Sequence, residues 1–80
     1  MTVRLNTPND AALFTTVCAR YDEDIDYQVG RYTVDAKSLM GILSLCLGKR
    51  ALVRMNTHSE DVFNDFKDNI KLWIVGDNFE

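Results

Sequence analysis

A short, almost wholly apolar segment near the middle of the chain most constrains how the protein can fold. It follows Ser38, which can cap a helix, and its apolar residues are Leu39, Met40, Ile42, Leu43, Leu45 and Cys46. A helix this short cannot bury all six side chains against one neighbouring sheet. We therefore expect some of them to face solvent, which on a soluble protein indicates a docking surface with Ser38 at its edge.

Alternation of apolar and polar residues predicts four strands. The predicted strands are centred on Val3–Leu5, Ile25–Val29, Tyr32–Val34 and Ala51–Met55. Gly30 lies between the second and third of these, where it can adopt the positive φ of a tight turn. These two strands are therefore predicted to form a hairpin.

Helical spacing of apolar residues predicts two further helices. The first begins at Pro8 with Thr7 as its cap. Its apolar residues are Ala11, Leu13, Phe14, Val17, Cys18 and Tyr21. The last helix begins at a cap on Thr57 or Ser59 and is predicted to continue through Ile74 until Gly76 ends it.

The element order is then βαββαβα, and each strand has one apolar and one polar face. This pattern predicts the α+β class, as an open-faced β-sandwich with a four-stranded antiparallel sheet covered on one side by three helices. Eighty residues suffice for one domain, which we predict to span residues 1–80. Residues 1–75 are expected to form the folded core and residues 76–80 a tail.

Composition and charge exclude several classes of function. A net charge of −3 without a basic stripe argues against nucleic-acid binding. No apolar run is long enough to cross a membrane, and no signal peptide is recognisable, so we expect a cytoplasmic protein. The spacing of Cys18 and Cys46 matches neither a redox pair nor a metal site, so we expect two reduced cysteines and no metal or other cofactor.

Two sequence blocks resemble those of a known family. The segment Asp-Ala-Lys-Ser-Leu-Met-Gly-Ile-Leu-Ser-Leu at residues 35–45 is similar to the motif of HPr, the histidine-containing phosphocarrier of the bacterial sugar phosphotransferase system. Ala-Ala-Leu-Phe at residues 11–14 is similar to the start of the first helix in that family. The resemblance extends from Asp10 to Ile74 and implies the HPr-like fold.

The chain differs from the family where phosphate is carried. HPr proteins have a phosphorylated histidine and an arginine before the first helix, and ungapped alignment places Thr7 and Asn9 at these positions. A threonine hydroxyl cannot form the labile phosphoramidate, and Asp10 adds a negative charge where the phosphoryl group would arrive. We therefore predict that the chain has no catalytic residue and is not a working phosphocarrier.

The resemblance implies a different role for Ser38. In Gram-positive members, an ATP-dependent kinase phosphorylates the matching serine and thereby regulates carbon catabolite repression. A related paralogue has lost the histidine but keeps this serine. The resemblance thus implies regulatory phosphorylation at Ser38 and partner binding by Leu39, Met40 and Leu43. Alternatively, Ser38 only caps its helix, and the three apolar residues belong to the core.

Protein partners follow from the same resemblance: a regulator, a phosphotransferase-system component, or a serine kinase. No nucleic acid and no membrane is expected as a partner, and the chain is expected to be a monomer or a weak dimer. Two other functions remain open at this point. The protein could carry phosphate on a non-standard residue such as His58, or it could be a scaffold subunit for an unrelated partner.

Overall fold

The computed structural model describes residues 1–45 and 47–76, with Leu45 described by its backbone alone. The strands are β1 (Thr2–Arg4), β2 (Ile25–Val29), β3 (Tyr32–Asp35), β4 (Arg50–Met55) and β5 (Ile74–Gly76). The α-helices are α1 (Pro8–Cys18), α2 (Leu39–Leu45) and α3 (Glu60–Asn69), and a 3₁₀ helix spans Lys71–Trp73. The predicted hairpin is present, with Gly30 at φ 60° between β2 and β3.

The strands form one sheet in the order β3-β2-β4-β1-β5, and the paired neighbours are antiparallel. Side chains of the central strand β4 alternate strictly between buried and exposed. Ala51, Val53 and Met55 face the core, whereas Leu52 and Arg54 are exposed on the other face. Since the apolar faces of the helices pack on only one face of the sheet, the α+β open-faced sandwich predicted from sequence is confirmed.

The predicted four-stranded sheet is wrong in one respect, because the sheet has five strands. The predicted last helix is accordingly too long. It ends at Asn69, and Ile70 leaves helical geometry with φ −110° and ψ 8°. The apolar spacing of Ile70, Trp73 and Ile74 is compatible with a continued helix. In the structure, however, this segment forms a 3₁₀ helix followed by a strand.

Two physical features explain why the C-terminal segment forms a fifth strand and not a longer helix. Ile74 and Val75 are β-branched and suit an extended backbone. Ile74 pairs with Val3 on the outer edge of β1, which would otherwise leave backbone groups without strand partners. Gly76, predicted to end a helix, lies in β5 instead, and residues 77–80 of the predicted tail lie outside the described residues.

Phe14 of α1 joins three parts of the core. Its ring makes T-shaped contacts with Tyr27 of β2 and with Trp73 of the 3₁₀ helix, each with a centroid separation of 5.7 Å. Cys18 is fully buried beside this cluster with a free thiol, as predicted, whereas Cys46 lies outside the described residues. The aromatic contacts hold the sheet, α1 and the C-terminal segment together.

Candidate functional site

Ser38 directly precedes α2, and backbone hydrogen bonds hold the chain on both sides of it. The Ser38 N–H donates to the Asp35 carbonyl at 2.9 Å, and the Lys37 N–H donates to Asp35 Oδ1 at 2.9 Å. Ser38 Oγ accepts from the Gly41 N–H at 3.2 Å, and its carbonyl accepts from the Ile42 N–H at 3.1 Å. The predicted capping role of Ser38 is therefore confirmed.

Gly41 leaves space for the Ser38 hydroxyl. A Cβ atom at this position would lie 3.2 Å from Ser38 Oγ and 3.2 Å from Val34 Cβ. Both distances are tighter than ordinary van der Waals contact, so any side chain at residue 41 would displace one of these neighbours. The hydroxyl thus keeps its position partly because residue 41 is glycine.

Lys37 connects the Ser38 turn to the segment that follows α1. Its Nζ donates to the Tyr21 carbonyl at 2.6 Å. The Tyr21 hydroxyl in turn donates to Asp65 Oδ2 at 2.7 Å and accepts from Asn69 Nδ2 at 2.8 Å, both on α3. Burial and the hydrogen bond to Asp65 raise the pKa of Tyr21. The turn before Ser38 is therefore linked through Tyr21 to α3.

The apolar residues of α2 divide between core and solvent. Ile42 is fully buried, whereas the exposed fractions are 36% for Leu39, 78% for Met40 and 37% for Leu43. Leu39, Met40 and Leu43 are hereafter called the α2 surface. The prediction that this helix could not bury all its apolar residues is confirmed. The side chains of Leu45 and Cys46 lie outside the described residues.

The two predicted sites lie at opposite ends of α1. Thr7 caps its first turn, whereas Lys37, the residue before Ser38, contacts Tyr21, which lies three residues after the helix ends. An 11-residue helix is about 16 Å long. The loop after α2 returns to the start of α1, since the Gly48 N–H donates to the Leu5 carbonyl at 2.7 Å. The residue before Ser38 therefore contacts the segment after α1, whereas the loop after α2 contacts the segment before α1.

Leu13 is an exposed apolar residue that the sequence pattern grouped with the core. It projects from α1 with 49% exposure, while Ala11 and Phe14 in the same helix are fully buried. Because α1 and α2 pack together in the helical layer, Leu13 adds an apolar side chain to the same layer as the α2 surface. A helical wheel placing Ala11, Phe14 and Cys18 on one side would have shown Leu13 on the other.

The start of α1 is negatively charged. Thr7 Oγ1 accepts from the Asp10 N–H at 3.0 Å, and Thr7 and Asn9 are both exposed. Burial alone would raise the pKa of Asp10, but hydrogen bonds from Trp73 Nε1, Thr7 and the Asn6 N–H outweigh it and lower the pKa. The Asp10 carboxylate is therefore ionised at neutral pH.

His58 lies at the end of the sheet where β4 ends, and the adjacent Thr57 lines a recess together with Asp35, three residues before Ser38. It follows the end of β4 and is exposed, directly before Ser59, which caps α3 by accepting from the Val62 N–H at 3.2 Å. β4 runs from Arg50 beside β1 to Met55, about 17 Å away. His58 is consequently at the opposite end of the sheet from the start of α1.

Other chemistry-bearing groups give no reactive site within the described part of the chain. Burial raises the pKa of the Cys18 thiol to about 12, so it stays protonated and is a poor nucleophile. Among residues 1–45 and 47–76, no three His, Cys, Asp or Glu side chains are arranged to hold a metal ion. No helix within these ranges has the length and hydropathy needed to cross a membrane.

Comparison with known proteins identifies a family and several similar folds. Residues 9–70 match the family described as "PTS HPr component phosphorylation site". No curated protein matches the sequence. HPr-C-His from Thermoanaerobacter tengcongensis is 25% identical, with a TM-score of 0.68 over 89% of each chain.

Two Bacillus structures are also similar. The phosphocarrier protein HPr from Bacillus anthracis str. Ames is 26% identical, with a TM-score of 0.63 over 86% of this chain and 92% of that one. Crh from Bacillus subtilis, a catabolite repression protein that forms a swapped dimer, is 20% identical. Its TM-score is 0.66 over 95% of this chain and 90% of its own, and this likeness shows the fold alone.

Proposed function

The chain belongs to the HPr family of the phosphotransferase system, and we propose that it is a non-enzymatic regulatory member of it. In this proposal the α2 surface binds partner proteins in the cytoplasm, and phosphorylation of Ser38 controls that binding. The partners are a phosphotransferase-system component or a regulator of carbon use, and a serine kinase modifies the protein. The supporting observation is the position of Ser38, which begins α2 directly before the exposed Leu39 and Met40.

The chemistry at the start of α1 favours regulation over phosphate transfer. Thr7 is the residue at the helix cap, and its hydroxyl forms no phosphoramidate. The ionised Asp10 carboxylate would repel an incoming phosphoryl group. The chain's single histidine, His58, is in an exposed loop at the other end of the sheet. We therefore infer that this member does not accept phosphate from phosphoenolpyruvate.

A phosphate on Ser38 would change the edge of the α2 surface with little effect on the fold. Ser38 is only half-buried, and its neighbours Leu39 and Met40 are exposed. Phosphorylation adds about two negative charges beside these apolar side chains, which alters the partners that can dock there. The backbone N–H groups at the start of α2 can donate hydrogen bonds to the phosphate oxygens, and the helix dipole favours negative charge there.

We expect the serine kinase of Gram-positive HPr proteins to add one phosphate to this protein in the presence of ATP. Intact-mass spectrometry before and after incubation measures the addition. The Ser38→Ala variant is expected to show no added mass. Its free energy of unfolding should fall by about 1 kcal/mol, because the Gly41 N–H loses its hydrogen bond to Ser38 Oγ.

A matched variant distinguishes loss of the phosphate-accepting hydroxyl from loss of the folded structure. Ser44→Ala removes another α2 hydroxyl, whose Oγ donates to the Gly41 carbonyl at 3.0 Å, and should leave phosphorylation unchanged. Equal phosphorylation of the Ser38→Ala variant and the unmutated protein would contradict Ser38 as the acceptor. Absence of phosphate on the unmutated protein would favour an unmodified scaffold.

A further inference from the structure

The two edges of the sheet are built differently. β5 forms one edge, and its register with β1 shifts between Thr2 and Val3, a bulge of the kind that commonly protects an edge strand. β3 forms the other edge, and its residues pair with β2 in sequence without a shift. No strand within the described ranges pairs with the outer side of β3. β3 is therefore regular and open to an added strand.

Backbone groups of β3 alternate between β2 and the open edge. The Ala36 N–H, one residue past the end of β3, donates to the Ile25 carbonyl at 2.8 Å. Hydrogen-bonded and non-hydrogen-bonded pairs alternate along an antiparallel ladder, so Val34 bonds to β2, whereas the N–H groups of Thr33 and Asp35 point away from it. The Thr33 carbonyl points the same way. A further strand can therefore bond to Thr33 without disturbing the pairing of β3 with β2.

The sequence of this edge is self-complementary. The segment Arg-Tyr-Thr-Val-Asp from Arg31 to Asp35 has a cation at one end, a carboxylate at the other and Thr33 in the middle. If two copies pair antiparallel with Thr33 opposite Thr33, Tyr32 of each copy lies opposite Val34 of the other. The same register places Arg31 of each copy opposite Asp35 of the other. Apolar and charged side chains thus each meet a suitable partner.

Tyr32 is an exposed aromatic residue that such a pairing would cover. It is 62% exposed and lies on the same side of the sheet as Val34, because the two residues are two positions apart on one strand. A Cβ atom on Gly41 would lie 3.2 Å from Val34 Cβ, so this is the side on which α2 packs. Between two paired copies, each Tyr32 ring would lie against Val34 of the other copy. Aromatic and β-branched cross-strand pairs of this kind stabilise a sheet.

The charge of Asp35 also favours this pairing. Asp35 is exposed and lies directly opposite Asp26 of β2, and like charges in such a pair destabilise a sheet. Asp26 has Arg54 of β4 as its other Cα partner. The outer side of Asp35 has no strand partner in the described part of the chain. Arg31 of a second copy would take the position relative to Asp35 that Arg54 takes relative to Asp26.

We propose that β3 is a self-association surface, through which two copies form a symmetric dimer with their five-stranded sheets joined into one. A two-fold axis passes between the two Thr33 residues, so each copy presents the same patch to the other. Both α2 surfaces then lie on the same side of the joined sheet, because the pairing keeps the two helical faces together. A partner with two binding sites can engage both α2 surfaces at once, which raises its apparent affinity. The dimer does not depend on phosphorylation of Ser38.

Analytical ultracentrifugation of the unmutated, unphosphorylated protein tests the proposal. The average mass should rise from that of a monomer towards twice that value as the protein concentration increases. Thr33→Pro removes the N–H at the centre of the interface but no hydrogen bond to β2, so this variant should stay monomeric with little change in thermal unfolding. Thr33→Val keeps the N–H and should still dimerise.

A charge-reversal experiment tests the register of the dimer. Arg31→Glu and Asp35→Lys each place like charges opposite each other twice in a dimer, so each variant alone should dimerise about tenfold more weakly. When the two variants are mixed in equal amounts, both opposite-charge pairs are restored. The mixture should therefore form a heterodimer with the affinity of the unmutated dimer.

Three results would overturn the proposal. The first is an unmutated protein that stays monomeric at every concentration. The second is a dimer that persists in Thr33→Pro, which would favour pairing at another edge such as β5. The third is failure of the mixed charge variants to associate. None of these results bears on the role of Ser38, because every sample is unphosphorylated.

Discussion

Replacing Phe14 by alanine is expected to remove a large part of the protein's free energy of unfolding. The ring is fully buried and contacts both Tyr27 and Trp73. Loss of a buried phenylalanine costs about 3–5 kcal/mol, because apolar burial is lost and a cavity remains. A chain of 80 residues typically has only about 4–12 kcal/mol of unfolding free energy in total. Urea denaturation followed by circular dichroism measures the loss.

The neighbouring residue provides a matched control for Phe14. Leu13 occurs in the same turn of α1 but is 49% exposed, so Leu13→Ala should change the unfolding free energy by less than about 1 kcal/mol. Similar losses for the two variants would contradict the placement of α1 on the sheet. A small loss for Phe14→Ala alone would contradict its position between the sheet and the C-terminal segment.

Replacing Met40 by serine is expected to lower the initial rate of Ser38 phosphorylation about tenfold. Met40 is 78% exposed in the first turn of α2, so it can contact the kinase without supporting the core. A flexible thioether suits such a shared docking surface. The rate is measured by intact mass over time with the serine kinase and ATP, at a protein concentration below saturation.

Leu72 is the matched control for Met40, since it is 80% exposed but lies in the 3₁₀ helix. Leu72→Ser should leave the rate of phosphorylation unchanged. Both variants should keep the unfolding free energy of the unmutated protein, since neither removes buried apolar area. Equal rates for Met40→Ser and Leu72→Ser would contradict a docking role for the α2 surface.

Local sequence patterns predicted most of the fold. Alternation in β4 and helical spacing in α1 follow from the burial of one face, and both are observed in the structure. The end of α3 was not predictable in this way. The residues after Asn69 satisfy helical and extended patterns alike, and the open edge of β1, a long-range feature, favours the strand.

The candidate site was also only partly predictable, because local sequence patterns do not specify long-range contacts. Ser38 as a cap and the exposure of Met40 follow from a short apolar helix with a serine before it. The contact of Lys37 with Tyr21 joins residues 16 positions apart and depends on tertiary packing.

Incubation with phosphoenolpyruvate and the general phosphotransferase enzyme tests the central claim most directly. That claim is that the protein does not accept phosphate from phosphoenolpyruvate, because Thr7 and an ionised Asp10 occupy the start of α1 and no other residue replaces the missing histidine. An intact mass that stays unchanged, while an ordinary HPr in the same tube gains phosphate, is the result we predict. A phosphoenolpyruvate-dependent gain in mass that disappears in the His58→Ala variant would contradict it and make the protein a phosphocarrier.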